Sequence, residues 1–185
     1  YKPISETLFA SIRFAMQERA EIAAILEELQ QTIPPAQITA PAMCVQHFIT
    51  SVRDGDDVEI GYPVSQAVTT GRVTTRRLPA LETLSFAHTG SSETLGESYR
   101  ALYGYAAQQA IISDEFCIEV YHPDGQIELL LIIHNWQKLF AENLERVLGA
   151  PARQQVLQGV DALAVEATPE ERFAWAQNAL QRLAP

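Results

Sequence analysis

Apolar positions change their spacing along the chain in a definite order. Thr7 to Ala15 carries the short period of a strand. From Ala20 to Ile33 the apolar residues Ile22, Ile25, Leu26, Leu29 and Ile33 recur at helical spacing and predict one amphipathic helix. Pro34-Pro35 ends it, because proline brings no backbone donor and obstructs the preceding turn. Met43 to Val52 and Val58 to Val64 follow as two strands around Asp54-Gly55-Asp56. The order strand, helix, hairpin then restarts. A strand runs from Val73 to His88, a helix from about Ser92 to Ala110, and a hairpin from Phe116 to Tyr121 and Ile127 to Ile133. Its turn is His122-Pro123-Asp124-Gly125, in which proline sets one φ and glycine accepts a positive one.

The second half repeats the first residue by residue in places. Glu6-Thr7-Leu8-Phe9-Ala10 returns as Glu82-Thr83-Leu84-Ser85-Phe86, and Cys44-Val45-Gln46-His47-Phe48 as Cys117-Ile118-Glu119-Val120-Tyr121. Asp54-Gly55 returns as Asp124-Gly125, and the small drift in spacing is what loop-length changes inside one duplicated unit produce. Neither repeat is long enough for a large core of its own, so the two are expected to fuse. A fused pair makes a cleft along its pseudo-twofold seam, and clefts bind small molecules.

The second hairpin places a carboxylate in apolar company. A two-residue Asp124-Gly125 turn sets Tyr121 opposite Glu128 and Glu119 opposite Leu130. One face then carries Cys117, Glu119, Tyr121, Glu128 and Leu130, and the other Ile118, Val120, Leu129, Leu131 and Ile133. Such a sheet needs cover on both sides, the second from the tail or another subunit. Three environments fit Glu119: a hydrated rim, satisfaction by hydroxyls or backbone donors, or the anionic floor of a ligand pocket. Its counterpart in the first repeat is Gln46, so the charge belongs to one half only. On the second helix Leu95, Tyr99, Leu102 and Ala106 form the buried stripe, with Tyr103 and Tyr105 at its borders, where rings serve ordinary packing or stack on a planar cation.

The tail reads as helices. Trp136, Leu139, Phe140, Leu144, Val147 and Leu148 form a stripe ending near Gly149-Ala150-Pro151, and a second stretch carries Val156, Leu157, Val160 and Leu163. A third helix opens at Thr168-Pro169-Glu170-Glu171, a capping box with proline at the first helical position. Its expected buried stripe is Phe173, Ala176, Leu180 and Leu183, with Trp175 pointing away as a candidate contact residue.

Composition narrows the function classes. The chain has 185 residues, 47% apolar and 19% charged, and no apolar run long enough for a membrane span. A formal net charge of −10 opposes a nucleic-acid surface on this piece and suits cationic partners. The basic cluster Arg72, Arg76 and Arg77 fits either a solvated strand entry or a phosphate site. Two cysteines and no secretory segment point to the cytoplasm. Cys44, Cys117, His47, His88, His122 and His134 lack compact ligand spacing, so neither metal nor cofactor is expected. The chain starts at Tyr1, which marks it as a processed protein or a piece of a longer one.

Several stretches together resemble the GyrI-like effector-binding domain of MerR-type and AraC-type multidrug-responsive regulators, which also occurs in free-standing proteins. They are Leu8 to Arg13 with the Ala20-Glu21-Ile22 helix start, Asp57 to Val64, Gly71 to Pro79, His88-Thr89-Gly90, and Ile118 to Tyr121. The resemblance implies an α+β fold of two strand-helix-strand-strand modules sharing an antiparallel sheet, with two helices flanking a cleft and a C-terminal helical extension. Residues 1–135 would form the core, split into modules 1–66 and 67–135, and 136–185 the extension. It also implies a cleft that attracts a lipophilic, cationic molecule through Glu119, with an aromatic residue at Tyr105 helping to sandwich it. The expected ligand-binding set is Glu119, Tyr105, Tyr121, Tyr103, Tyr62 and Phe86. DNA would be reached only through an N-terminal domain absent from this chain, and a homodimer would follow from its dimerising helix. The alternative is a free-standing hydrolase or sequestering protein using the same cleft, with Glu119 as base and a tyrosine as proton donor. Gly90-Ser91-Ser92 and Ile132-Ile133 depart from the family's usual Gly-Pro-Tyr and Pro-Val, which bears on the cleft mouth.

Overall fold

The computed structural model describes residues 1–49, 55–134, 136–149 and 167–181. Its strands are β1 (Lys2–Ile4), β2 (Thr7–Met16), β3 (Ala42–Ile49), β4 (Asp56–Val64), β5 (Thr74–Leu78), β6 (Leu81–His88), β7 (Ser113–Tyr121) and β8 (Ile127–Ile133). The α-helices among the described residues are α1 (Glu21–Thr32), α2 (Leu95–Gln108), α3 (Trp136–Leu148) and α4 (Pro169–Gln181). The strands form one curled antiparallel sheet in the order β1-β6-β8-β7-β3-β4-β2-β5. No helix among the described residues is long and apolar enough to cross a membrane.

The duplication is written into this order. β2-α1-β3-β4 and β6-α2-β7-β8 are the two modules, and they join where β3 pairs with β7. Val45 lies opposite Ile118, its own counterpart in the repeat, so the pseudo-twofold axis passes between them. The edges are exchanged. β1 enters module one yet pairs with β6, and β5 enters module two yet pairs with β2. The sequence pattern ran β5 and β6 together as one strand. Pro79 separates them because it cannot donate to a ladder, and β1 is too short at three residues to show a period.

The chain divides into two compact units, residues 1–102 with 114–132, and residues 103–113 with 133–185. In the first, one sheet face is covered by α1, whose Ile22, Ile25 and Leu29 pack on Ile12, Cys44, Val58 and Ile60. Burial of that stripe drives the helix onto the sheet. On the reverse face Phe9, Val45, Ile118, Val120 and Leu130 cluster with Leu78 of β5 and Ile4 of β1. Those two residues come from opposite edges, so the sheet's own curl closes this face.

The β7–β8 hairpin corrects the expected facing. His122 N donates to Gln126 O at 2.9 Å and Gly125 N to His122 O at 3.0 Å, so the loop holds three residues, with Gly125 at φ +86°. One extra loop residue shifts the pairing by one and exchanges every β8 side chain between faces. Leu130 therefore packs with Ile118 and Val120 on the reverse face and does not lie beside Glu119.

Gly61 is required where β4 passes β2. A Cβ there would meet Ala10 O at 2.3 Å and Ser11 Cα at 2.8 Å, both backbone atoms. Gly61→Ala is expected to cost about 1–3 kcal/mol, read as a lower urea midpoint with an unchanged slope.

In the second unit Trp136, Phe140 and Trp175 pack edge to face, with Trp136 and Trp175 centroids 5.1 Å apart, around Ala141 and Ala179. Trp175 is thus buried at 6% exposure, whereas Phe173 is 64% and Leu180 46% exposed, contrary to expectation, while Ala176 packs on the cluster as expected and Leu183 lies outside the described residues. The 175/179 pair has the same helical spacing, and the larger indole is the one that gains most from burial. The capping box forms as expected: Glu171 N donates to Thr168 Oγ1 at 3.2 Å and Thr168 N to Glu171 Oε2 at 2.7 Å. The predicted Val156–Leu163 stretch lies outside the described residues.

Candidate functional site

Glu119 lies opposite Cys44, and Cys44 belongs to the cluster beneath α1, so its carboxylate points to the helix-covered face next to the pseudo-twofold axis. It is completely buried, which removes the hydrated-rim environment. Arg19, in the turn between β2 and α1, grips it with both arms: Nη1 donates to Oε1 at 2.9 Å and Nη2 to Oε2 at 2.6 Å. Tyr99 of α2 donates its hydroxyl to Oε1 at 2.5 Å, and the Tyr121 hydroxyl donates to Oε2. Gln46 Nε2 in turn donates to Tyr99 Oη at 3.3 Å, so the repeat counterpart of Glu119 is tied into the same cluster.

The electrostatics follow from these contacts. Burial opposes charge on Glu119, but the Arg19 fork and the two hydroxyls outweigh it and hold its pKa below the ordinary carboxylate range. The pKa of Arg19 is raised, chiefly by its hydrogen bonds to Glu119 and despite burial. Burial first, and then the nearby carboxylate charge, push the Tyr99 and Tyr121 hydroxyls up. Burial also pushes the Cys44 thiol up to about 12. At neutral pH the centre is an ionised carboxylate, a guanidinium and two protonated phenols, with an unreactive thiol alongside.

Beside this centre lies a mostly apolar groove of about 520 Å³. Leu26 and Gln30 of α1, Ile38, Ala42, Tyr62 and Tyr121 line it, with His122 and Pro123 at the hairpin. Gln30 Nε2 donates to Tyr62 Oη at 2.9 Å and fixes that ring. Tyr121 belongs to both features, its ring to the groove and its hydroxyl to Glu119.

Of the expected set, Glu119 and Tyr121 are thus in direct contact, and Tyr62 shares the groove with Tyr121. Phe86, on β6, is 37% exposed and is not among the groove residues. Tyr103 and Tyr105 fall in the second unit, Tyr105 being exposed. Sequence reasoning missed Arg19. The available signal was a single cation in the polar link Gln17-Glu18-Arg19, directly before a helix already predicted to cover the sheet.

Two further buried carboxylates sit on the reverse face, one per module. Glu59 accepts from Ser11 Oγ at 2.5 Å and Arg76 Nη2 at 2.5 Å, and lies 2.8 Å from His47 Nε2. Glu128 accepts from Ser85 Oγ at 2.5 Å and Lys2 Nζ at 2.7 Å, and lies 3.2 Å from His122 Nε2. Each module therefore holds one carboxylate among a serine, a histidine and a cation. Burial opposes both charges, and the cations and hydroxyls outweigh it, so both pKa values are lowered. The cluster of basic residues is likewise absorbed by pairing: Arg72 with Glu28, Arg76 with Glu59 and Arg77 with Glu6. Among the described residues no group of three or more His, Cys, Asp or Glu is placed to hold a metal ion.

The model of the GyrI-like small molecule binding domain matches residues 8–146, and the chain belongs to that family. Its fold is similar to the C-terminal domain of EcmrR, with a TM-score of 0.63 at 18% identity over 72% of this chain and 94% of that one. In the EcmrR–DNA complex the same match, at TM-score 0.63 and 18% identity over 72% of this chain, spans 56% of the longer EcmrR chain. A hydrolase from Listeria innocua shares the fold at TM-score 0.51 and 11% identity, over 72% of this chain and 90% of that one. So does SAV2435 bound to tetraphenylphosphonium, at TM-score 0.50 and 9% identity, over 74% and 93%. A sequence comparison with curated proteins gives no match.

Proposed function

We propose that this chain is the effector-binding part of a cytoplasmic bacterial transcription regulator, sensing a lipophilic cation that lies in the groove and engages Glu119. The observation carrying this reading is a fully buried, ionised carboxylate beside an apolar groove, joined to it by one tyrosine. A buried charge is costly unless it is paired, and a site that keeps one, here paired with a half-exposed Arg19, can recognise the opposite charge in a ligand. EcmrR, seen with DNA, and SAV2435, seen with tetraphenylphosphonium, support the two halves of the reading by analogy of fold. DNA contact and dimerisation would reside in a preceding domain.

The geometry favours sensing over hydrolysis. A general base needs a pKa near the working pH and a lone pair free for water, whereas Glu119 is held low and accepts four hydrogen bonds. Tyr99 and Tyr121 donate to it and are pushed away from neutrality, so neither is poised as an acid. Glu119→Gln is expected to weaken an aromatic cation about tenfold or more in a fluorescence titration, a difference of about 1.4 kcal/mol, and to leave a neutral analogue unchanged. Equal loss for both would remove the charge role.

A further inference from the structure

We propose that the Glu119 centre is a guanidinium-type site whose resident occupant is the chain's own Arg19, and that the effector carries a planar amidinium or guanidinium head which displaces it. This rests on the reading of the groove as an effector site and names the chemistry it selects.

The carboxylate is already used on two sides, since Tyr99 takes Oε1 and Tyr121 takes Oε2. What remains is one edge that presents both oxygens together, and Arg19 fills it with two parallel N–H donors. That edge fits a flat, two-donor cation. A quaternary ammonium or phosphonium has no N–H and would leave each oxygen with its tyrosine donor alone, so exchanging it for Arg19 loses two hydrogen bonds. An amidinium exchanges one fork for another.

Arg19 is also placed to leave. It stands in the turn outside β2 and α1, and its side chain is 37% exposed against 1% for Glu119. Its withdrawal opens the mouth of the site and removes no residue from the core beneath α1. Arg19 Nη2 lies 3.4 Å from Tyr121 Oη, and Tyr121 lines the groove, so a head taking the place of Arg19 can carry an apolar body along Tyr121 and Tyr62. The internal occupant acts as a competitor. It lowers apparent affinity by the fraction of time it holds the site, and it excludes cations unable to match its fork.

Calorimetric titration of the wild-type chain with 4-phenylbenzamidine and with tetraphenylphosphonium is the first arm, and the amidine should bind about tenfold or more tightly. Arg19→Ala should strengthen amidine binding and gain thermal stability from methylguanidinium at millimolar concentration, but not from tetramethylammonium. Adding Glu119→Gln to that variant should abolish the gain. If Arg19→Ala does not fold, Arg19→Lys keeps the charge on a single nitrogen without the planar fork and should still strengthen amidine binding over wild type. Unchanged amidine affinity in the folded Arg19 variant overturns the proposal, as does an absent methylguanidinium effect. Tetraphenylphosphonium binding as tightly as the amidine, and weakened by Glu119→Gln, overturns it while leaving the cation-sensing reading intact. If no cation binds any variant, both fail.

Discussion

Arg19→Ala is expected to lower the unfolding free energy by about 2–3 kcal/mol at neutral pH and by far less in acid. Removing one partner of a buried pair costs about 3–5 kcal/mol, and the 37% exposure of Arg19 puts this case below that range because water can partly replace the guanidinium. The pH dependence separates this pair from ordinary packing. In the wild type the folded pKa of Glu119 is depressed from 4.5, so its stabilisation is fully present above the unfolded value and is lost as pH falls through the folded one. Without Arg19 the leading remaining influence is burial, which raises the folded pKa. The variant is then penalised above that raised value and relieved as protons bind. The two stability curves should converge on acidification, and chemical denaturation at a series of pH values measures this. A constant difference at all pH values would mean that Arg19 contributes packing and not charge.

Leu130→Ala is expected to cost about 3 kcal/mol, within the usual range for emptying a buried leucine site. The residue is 2% exposed at the centre of the reverse face, against Ile118 and Val120 from β7 and Phe9 from β2. Strands on three sides limit how far the site can collapse, which favours a persistent cavity. Because the substitution lies on the reverse face, it should leave cation affinity unchanged once the protein is folded. A lower urea midpoint with retained binding is the expected result. Lost binding in the folded variant would place Leu130 on the Glu119 face, as a two-residue hairpin loop would have done.

These two residues also show where the sequence was legible. The α1 stripe, the capping box at Thr168 and the carboxylate in apolar company at Glu119 are local patterns, and the repeat shows because such short patterns recur in the same order in the second half. Arg19 pairs with a residue 100 positions away, and nothing local distinguishes it from a solvated cation. The facing of Leu130 depended on whether the loop held two or three residues, and a positive φ at Gly125 suits both, so only the His122 N to Gln126 O hydrogen bond decides. Trp175 was misplaced because two stripes on α4 share the same period, and only the packing of Trp136 and Phe140 against it decides between them. Glu128 was placed on the Glu119 face by the same two-residue loop, and the pairing of Glu59 and Glu128 stayed hidden for the reason that hid Arg19: Arg76 and Lys2 reach them from edge strands contributed across the duplication.

The most direct measurement is a crystal structure of the protein with 4-phenylbenzamidine bound. The amidinium should lie within hydrogen-bonding distance of both Glu119 oxygens, with the biphenyl body along Tyr121 and Tyr62 and Arg19 turned away from the site. An intact Arg19–Glu119 pair with the ligand bound elsewhere on the molecule would contradict this placement.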